Sequence, residues 1–238
     1  MKKICFTVLL LISITITFGQ KKKTVIEGKA LYLGVAYSKP VRTEFDKYMA
    51  VISDSLKLIN PLLVKSSFGL HGGVIFRNGK GEFEAGGSYS FGITAKSSNT
   101  TNSTTATLAT NTFDLHFGYN QYIAGPLFIG VDLGVISNDG KFTVKGSNAA
   151  IFETTPESHN PFKGYVFFAR PKGGFFFPFK KDALSGLKLT AFYDMSISKY
   201  DFYNKDILPN RLKNYTGAVK SSYKGLGVQA TIAFALDN

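Results

Sequence analysis

Glu84, Asp114, His116, Asp132, Arg170, Lys172, Lys188 and Asp194 stand in stretches where every second residue is apolar. Carboxylates, an imidazole, ammonium groups and a guanidinium could together do acid–base work, or they could pair with one another. Catalysis by Ser, His and a carboxylate needs a positioned set. The histidines are His71, His116 and His159. His71 and His116 fall within alternating stretches, and His159 follows Glu157 and Ser158 directly, which is adjacency in sequence and not a triad. No nucleophile motif, phosphate loop or metal-ligand spacing is present, so no cofactor or metal is expected. The simpler expectation is a polar network facing one interior. Arg170 is its expected hub, because a guanidinium can serve two carboxylates at once.

The elements that must position these groups are strands. Residues 226–236 read Leu-Gly-Val-Gln-Ala-Thr-Ile-Ala-Phe-Ala-Leu, apolar at every second position and small or polar between. The same period-two pattern predicts strands over about 27–37, 65–77, 82–95, 107–120, 127–136, 164–178 and 187–199. Each can cross a bilayer when tilted, which takes about 9–11 residues. One face of each is oily. The other carries the ionisable residues, which an apolar core could hold only if paired. A soluble β-sandwich would show a bulkier, more apolar second face.

Connection lengths give an independent signal. Long segments (38–64, 96–106, 137–163, 200–221) alternate with short turns at Asn78–Gly81, Gly125-Pro126 and about 180–186. Outer-membrane barrels show this asymmetry, with short periplasmic turns and longer outer loops. The fold expected is all-β: an eight-stranded antiparallel transmembrane β-barrel. One amphipathic helix is expected in the first long loop, over 43–59, where Tyr48, Met49, Ile52, Leu56 and Ile59 have helical spacing. Thr43 and Asp46 form a candidate capping box, and Asn60-Pro61 a stop. This helix could be a lid, an interfacial helix, or simply packed on neighbouring loops. Loop 97–107 is a Ser/Thr/Asn tract with nothing evident to bury, expected to be a mobile tip. Tyrosines near strand ends suggest interface girdles. Gly72-Gly73 and Gly86-Gly87 lie inside strands, where they allow close packing.

Composition bounds the setting. Lys2 and Lys3 precede an apolar run, Phe6–Phe18, and a small residue follows at Gly19. Residues 1–20 therefore read as a cleaved signal peptide, leaving 21–238 as the barrel. The single cysteine, Cys5, lies within that leader, so disulfides and thiolate chemistry are not expected in the mature chain. The formal charge is +12. Anionic outer-membrane lipid and lipopolysaccharide are the partners that scattered lysines suit, alongside plain loop solubility; nucleic acid is not expected.

The leader, eight amphipathic strands, glycine-bearing faces and loop asymmetry together resemble the small Gram-negative outer-membrane β-barrel domain family, including the porin-like and PorT-like groups. The resemblance spans about residues 25–238 and rests on pattern. It implies an outer-membrane location and insertion by the outer-membrane assembly machinery. It implies no single function, because fold does not carry one. The expectation is a non-enzymatic barrel with a structural or surface-interaction role through its outer loops, with a possible surface protein partner. A narrow pore or carrier for small solutes is the alternative, and a lipid-modifying enzyme a more distant one.

Overall fold

The computed structural model describes residues 27–99, 101, 103–146, 164–180, 184–202, 217 and 220–236. Residues 1–26 with the expected signal peptide, 147–163 with His159, and most of 203–219 lie outside the described residues. The elements in chain order are β1 (Glu27–Arg42), α1 (Thr43–Ser55), β2 (Ser67–Asn78), β3 (Gly81–Gly92), β4 (Ala95–Asn99) and β5 (Thr104–Ala124). There follow β6 (Leu127–Lys145), β7 (Gly164–Pro178), β8 (Gly186–Ser196), β9 (Tyr200–Asp201), β10 (Lys220–Ser221) and β11 (Tyr223–Leu236).

Eight strands close into an antiparallel ring in the order β1-β2-β3-β5-β6-β7-β8-β11, with β11 returning to β1. The register pairs Tyr37 with Val228 and Leu33 with Ile232, so the apolar sets of first and last strand share the outer face. Leu31, Leu33, Val35, Phe68, Leu70, Leu115, Phe117, Leu133, Phe167 and Val228 all project outward and are exposed. A water-soluble protein would not present a continuous apolar wall of this kind, whereas a lipid-facing barrel must. The chain is a transmembrane β-barrel. No described helix is long and apolar enough to cross a membrane.

Local chemistry explains the turns. Gly79 (φ 61°) and Gly125 (φ 52°) take the left-handed conformation that reverses β2 into β3 and β5 into β6. Gly73 and Gly86 face each other across β2 and β3 on the lumen side. The ring of Tyr32 lies over both: a Cβ on Gly73 would stand 2.8 Å from the Tyr32 hydroxyl, and one on Gly86 3.0 Å from Cζ. Pro171 sits inside β7, where it can donate no ladder hydrogen bond. The β7–β8 pairing accordingly passes from Ala169–Met195 to Lys172–Phe192 without a pair between them.

The outer end departs from the sequence reading. β5 and β6 run 21 and 19 residues. Their outward apolar positions stop at Phe113 and Val135, so 104–112 and 137–145 rise beyond the lipid belt as a ladder, pairing from Thr112–Asn138 up to Thr105–Lys145. The Ser/Thr/Asn tract is no free tip: β4 pairs with the start of β5, Ala95 opposite Leu108 and Asn99 opposite Thr104. Thr is a good strand residue, and Ala106 and Leu108 on the same segment are fully buried, which supplies the apolar anchor the tract itself lacks. The chain after α1 covers the β4 edge. Ile59 N–H donates to the Ser98 carbonyl (3.1 Å), and Asn99 Nδ2 donates to the Leu56 carbonyl (3.1 Å).

The helix ends at Ser55, short of the expected 59, with Leu56 as C-cap and Lys57 at φ 53°. Its N-terminus is not the expected capping box. Arg42 is the N-cap and makes no side-chain cap bond. Instead Ser221 Oγ, on the distant β10, accepts from Glu44 N–H (3.3 Å) and Phe45 N–H (3.2 Å). Asp46 Oδ2 accepts from Arg42 N–H (3.0 Å). Burial holds the Asp46 carboxyl above its usual range, opposed by that bond and by the Arg42 charge.

Candidate functional site

The lumen is filled in three layers. At the outer mouth, Phe45, Met49 and Ile52 of α1 belong to one buried apolar cluster with Leu108 of β5, Ile136 and Phe142 of β6, and Phe168 of β7. Phe202 closes against Phe45 edge-on, with ring centres 5.7 Å apart. The helix thus sits in the mouth and plugs it. At the periplasmic end, Tyr32, Ile75, Tyr122, Phe128 and Phe176 form a second apolar layer. Strands β6 and β7 show why: their inward residues read Phe128, Asp132, Ile136, Phe142 and Val166, Phe168, Arg170, Lys172, Phe176, with charge confined to the middle.

Between these layers lie all eight residues singled out in the sequence, each buried. They form two linked groups. In the first, Arg170 Nε donates to Asp194 Oδ1 (2.6 Å) and Arg170 Nη2 to Asp114 Oδ2 (3.2 Å). Asp114 also accepts from Ser88 Oγ and meets His116 Nδ1 at 2.7 Å. The guanidinium is sandwiched over the Phe168 and Phe192 rings, at 4.8 and 4.9 Å. In the second, Lys172 pairs with Asp132 (2.5 Å) and Glu84 (2.9 Å), and Lys188 with Glu84 (3.0 Å) and Glu82 (2.7 Å). His116 Nε2 joins the groups, 3.7 Å from Glu84 Oε1 and 3.3 Å from the Tyr32 hydroxyl.

One detail differs from the sequence reading. Arg170 is one of two centres; Glu84, which takes Lys172, Lys188 and the Asn120 amide (3.2 Å), is the other. Asp132 stands opposite Arg170 in the register but pairs with Lys172. Glu82 was not singled out, although it shares the face of Glu84 two residues on; that parity was a usable signal. Asn120, Tyr122 and Ser88 join only through contacts from other strands. Tyr122 and Tyr200 point inward and do not belong to a girdle, whereas Tyr37, Tyr89, Tyr119, Tyr165 and Tyr193 face outward.

The arrangement has the parts of a proton-transfer set, Ser88–Asp114–His116, but no room for a substrate. A cavity of about 10 Å³, space for about one water, lies beside Tyr32, Glu84, Lys172 and Lys188. Among the described residues no group of His, Cys, Asp and Glu has metal-binding geometry.

No protein-family model matches the chain, and no curated protein matches it. Among solved structures it is similar to Ail, the attachment invasion locus protein of Yersinia pestis, at 12% identity and a TM-score of 0.44 over 88% of this chain and 100% of that one. It is similar also to the outer membrane protein OprG of Pseudomonas aeruginosa, at 12% identity and a TM-score of 0.42 over 90% and 99%. Neisserial surface protein A aligns at 10% identity and a TM-score of 0.38 over 87% and 97%. Likenesses at these identities and TM-scores carry no function; the eight-strand ring stands on the strand pairings described above.

Proposed function

We propose that this protein is a non-enzymatic outer-membrane β-barrel acting through its outer end, in a structural or surface-interaction role. The observation that carries the reading is the filled lumen: an ionic layer sealed between two apolar ones, with α1 in the mouth. Solute passing through would have to displace the helix, break buried ion pairs and displace the Tyr122–Phe128 layer. Small barrels are filled by side chains in this way, and wide channels need more strands. The reactive-looking groups are locked in mutual pairs, which favours a structural role for them over catalysis. What remains available is the outer end, where the β4–β5–β6 ladder stands clear of the lipid belt.

Purified protein in a planar bilayer should give no steady conductance; a stable open level would overturn the reading in favour of a pore. Photo-cross-linking from Lys96 and Lys141 on the projecting ladder, in intact cells, should capture a surface component. Capture from neither position would refute the interaction role.

A further inference from the structure

The outward faces of the barrel differ in charge between one wall and the other. Lys39 (β1) and Lys224 (β11) lie on the outward face of neighbouring strands at the outer end of the apolar belt, and Lys199, beyond the end of β8, and Lys65, two residues before β2, are exposed. Lys39 follows Tyr37 on the outward face and is paired in register with Leu226; Lys224 is paired with Val41. Leu226 and Val41 are both exposed apolar residues. The two ammonium groups therefore stand at the border between hydrocarbon and headgroup. Among the described residues, no Asp or Glu shares the outward face of β1, β2, β8 or β11 at this end. At the corresponding level of the opposite wall, Phe113 and Val135 give way to Asn111 and Ser137, both neutral.

Diagonal neighbours on a strand pair have Cα atoms about 7–8 Å apart. Lys39 and Lys224 hold that relation, Lys39 opposite Leu226 and Lys224 two residues before Leu226 on β11. Two like charges so placed repel each other, and a single phosphate between them would be held by both ammonium groups. Below them Tyr37, Val35, Val228 and Leu226 offer an apolar surface to acyl chains.

We propose that this lysine arc is a binding site for the phosphate of an acylated, anionic outer-leaflet lipid, with its chains lying on the β11–β1 wall. The proposal rests on the outer-membrane reading above but not on the surface role of the projecting ladder.

The test is native mass spectrometry of the folded barrel in detergent, titrated with bisphosphorylated lipid A, with its dephosphorylated form and with inorganic phosphate. Wild type should retain the bisphosphorylated lipid and bind the other two weakly. K39Q/K224Q should bind it about thirtyfold more weakly, at roughly 1 kcal/mol for each lysine at an anionic lipid surface. K39R/K224R should restore binding. K96Q/K141Q, on the ladder, should bind as wild type does. Should the double variant not fold, K224Q alone carries the test at about fivefold. Equal binding by wild type and K39Q/K224Q would overturn the proposal, as would an equal loss in K96Q/K141Q, which would mean diffuse charge. Equal retention of the dephosphorylated form would overturn it too. A conducting pore or failed cross-linking would sink the functional reading and leave these lipid ratios untouched.

Discussion

Replacing Arg170 by Ala should be among the most damaging single changes in the lumen. The guanidinium is 4% exposed and bonds Asp194 and Asp114, themselves 2% and 4% exposed. Asp114 would keep Ser88 and His116. Asp194 pairs with Arg170 and with no other base among the described residues, so its carboxylate would be left buried beside Phe192 without a counter-charge. Breaking a buried pair by removing one partner costs about 3–5 kcal/mol, because the remaining charge stays desolvated. Removing both charges costs far less, so R170M/D194N should recover about half or more of the loss. The chain has no tryptophan. Folding in lipid vesicles is therefore best followed by far-ultraviolet circular dichroism against urea, together with the gel shift between folded and heated protein. An R170A midpoint equal to wild type would refute the reasoning, and so would an R170M/D194N midpoint no better than R170A.

Other consequences of the structure can be checked in the same assay. M49A removes a fully buried side chain from the mouth plug and should cost about 2–5 kcal/mol if the helix stays seated; hydrogen exchange over 43–55 should rise sharply while the ring strands stay protected. G73V places a branched side chain against the Tyr32 hydroxyl and the β3 backbone, and should lower the yield of gel-shifted protein; Y32A should recover only the Tyr32 part of that loss. L33R puts a charge on the lipid face near mid-membrane, at a cost of about 2–4 kcal/mol, whereas Q229K on the lumen face should cost less unless it disturbs Lys188. S221A removes the acceptor shared by Glu44 and Phe45 N–H, and a lost helix cap costs about 1 kcal/mol; increased proteolysis near α1 without loss of the ring would show it.

The ring was legible in the sequence because a strand's side chains alternate with period two and a lipid-facing wall must be apolar on one side. That alone specified eight strands, their outward residues and the inward parity of Glu84, Asp114, His116, Asp132, Arg170, Lys172, Lys188 and Asp194. Connection lengths set the orientation. Parity cannot choose partners. Lys188 reaches Glu82 on a strand four places away around the ring, and Asp132 leaves its register neighbour Arg170 for Lys172. Such pairings depend on barrel diameter and strand stagger, which arise only on closure. The outer end departs from the local pattern for a related reason. The 95–108 tract is polar by itself, and its burial comes from α1 and β6, brought there by the rest of the fold. The helix cap likewise lies on Ser221, 177 residues from Glu44. Local periodicity determined the wall and its two faces. Closure of the ring decided how the lumen charges pair, where the helix sits, and therefore that the barrel is solid.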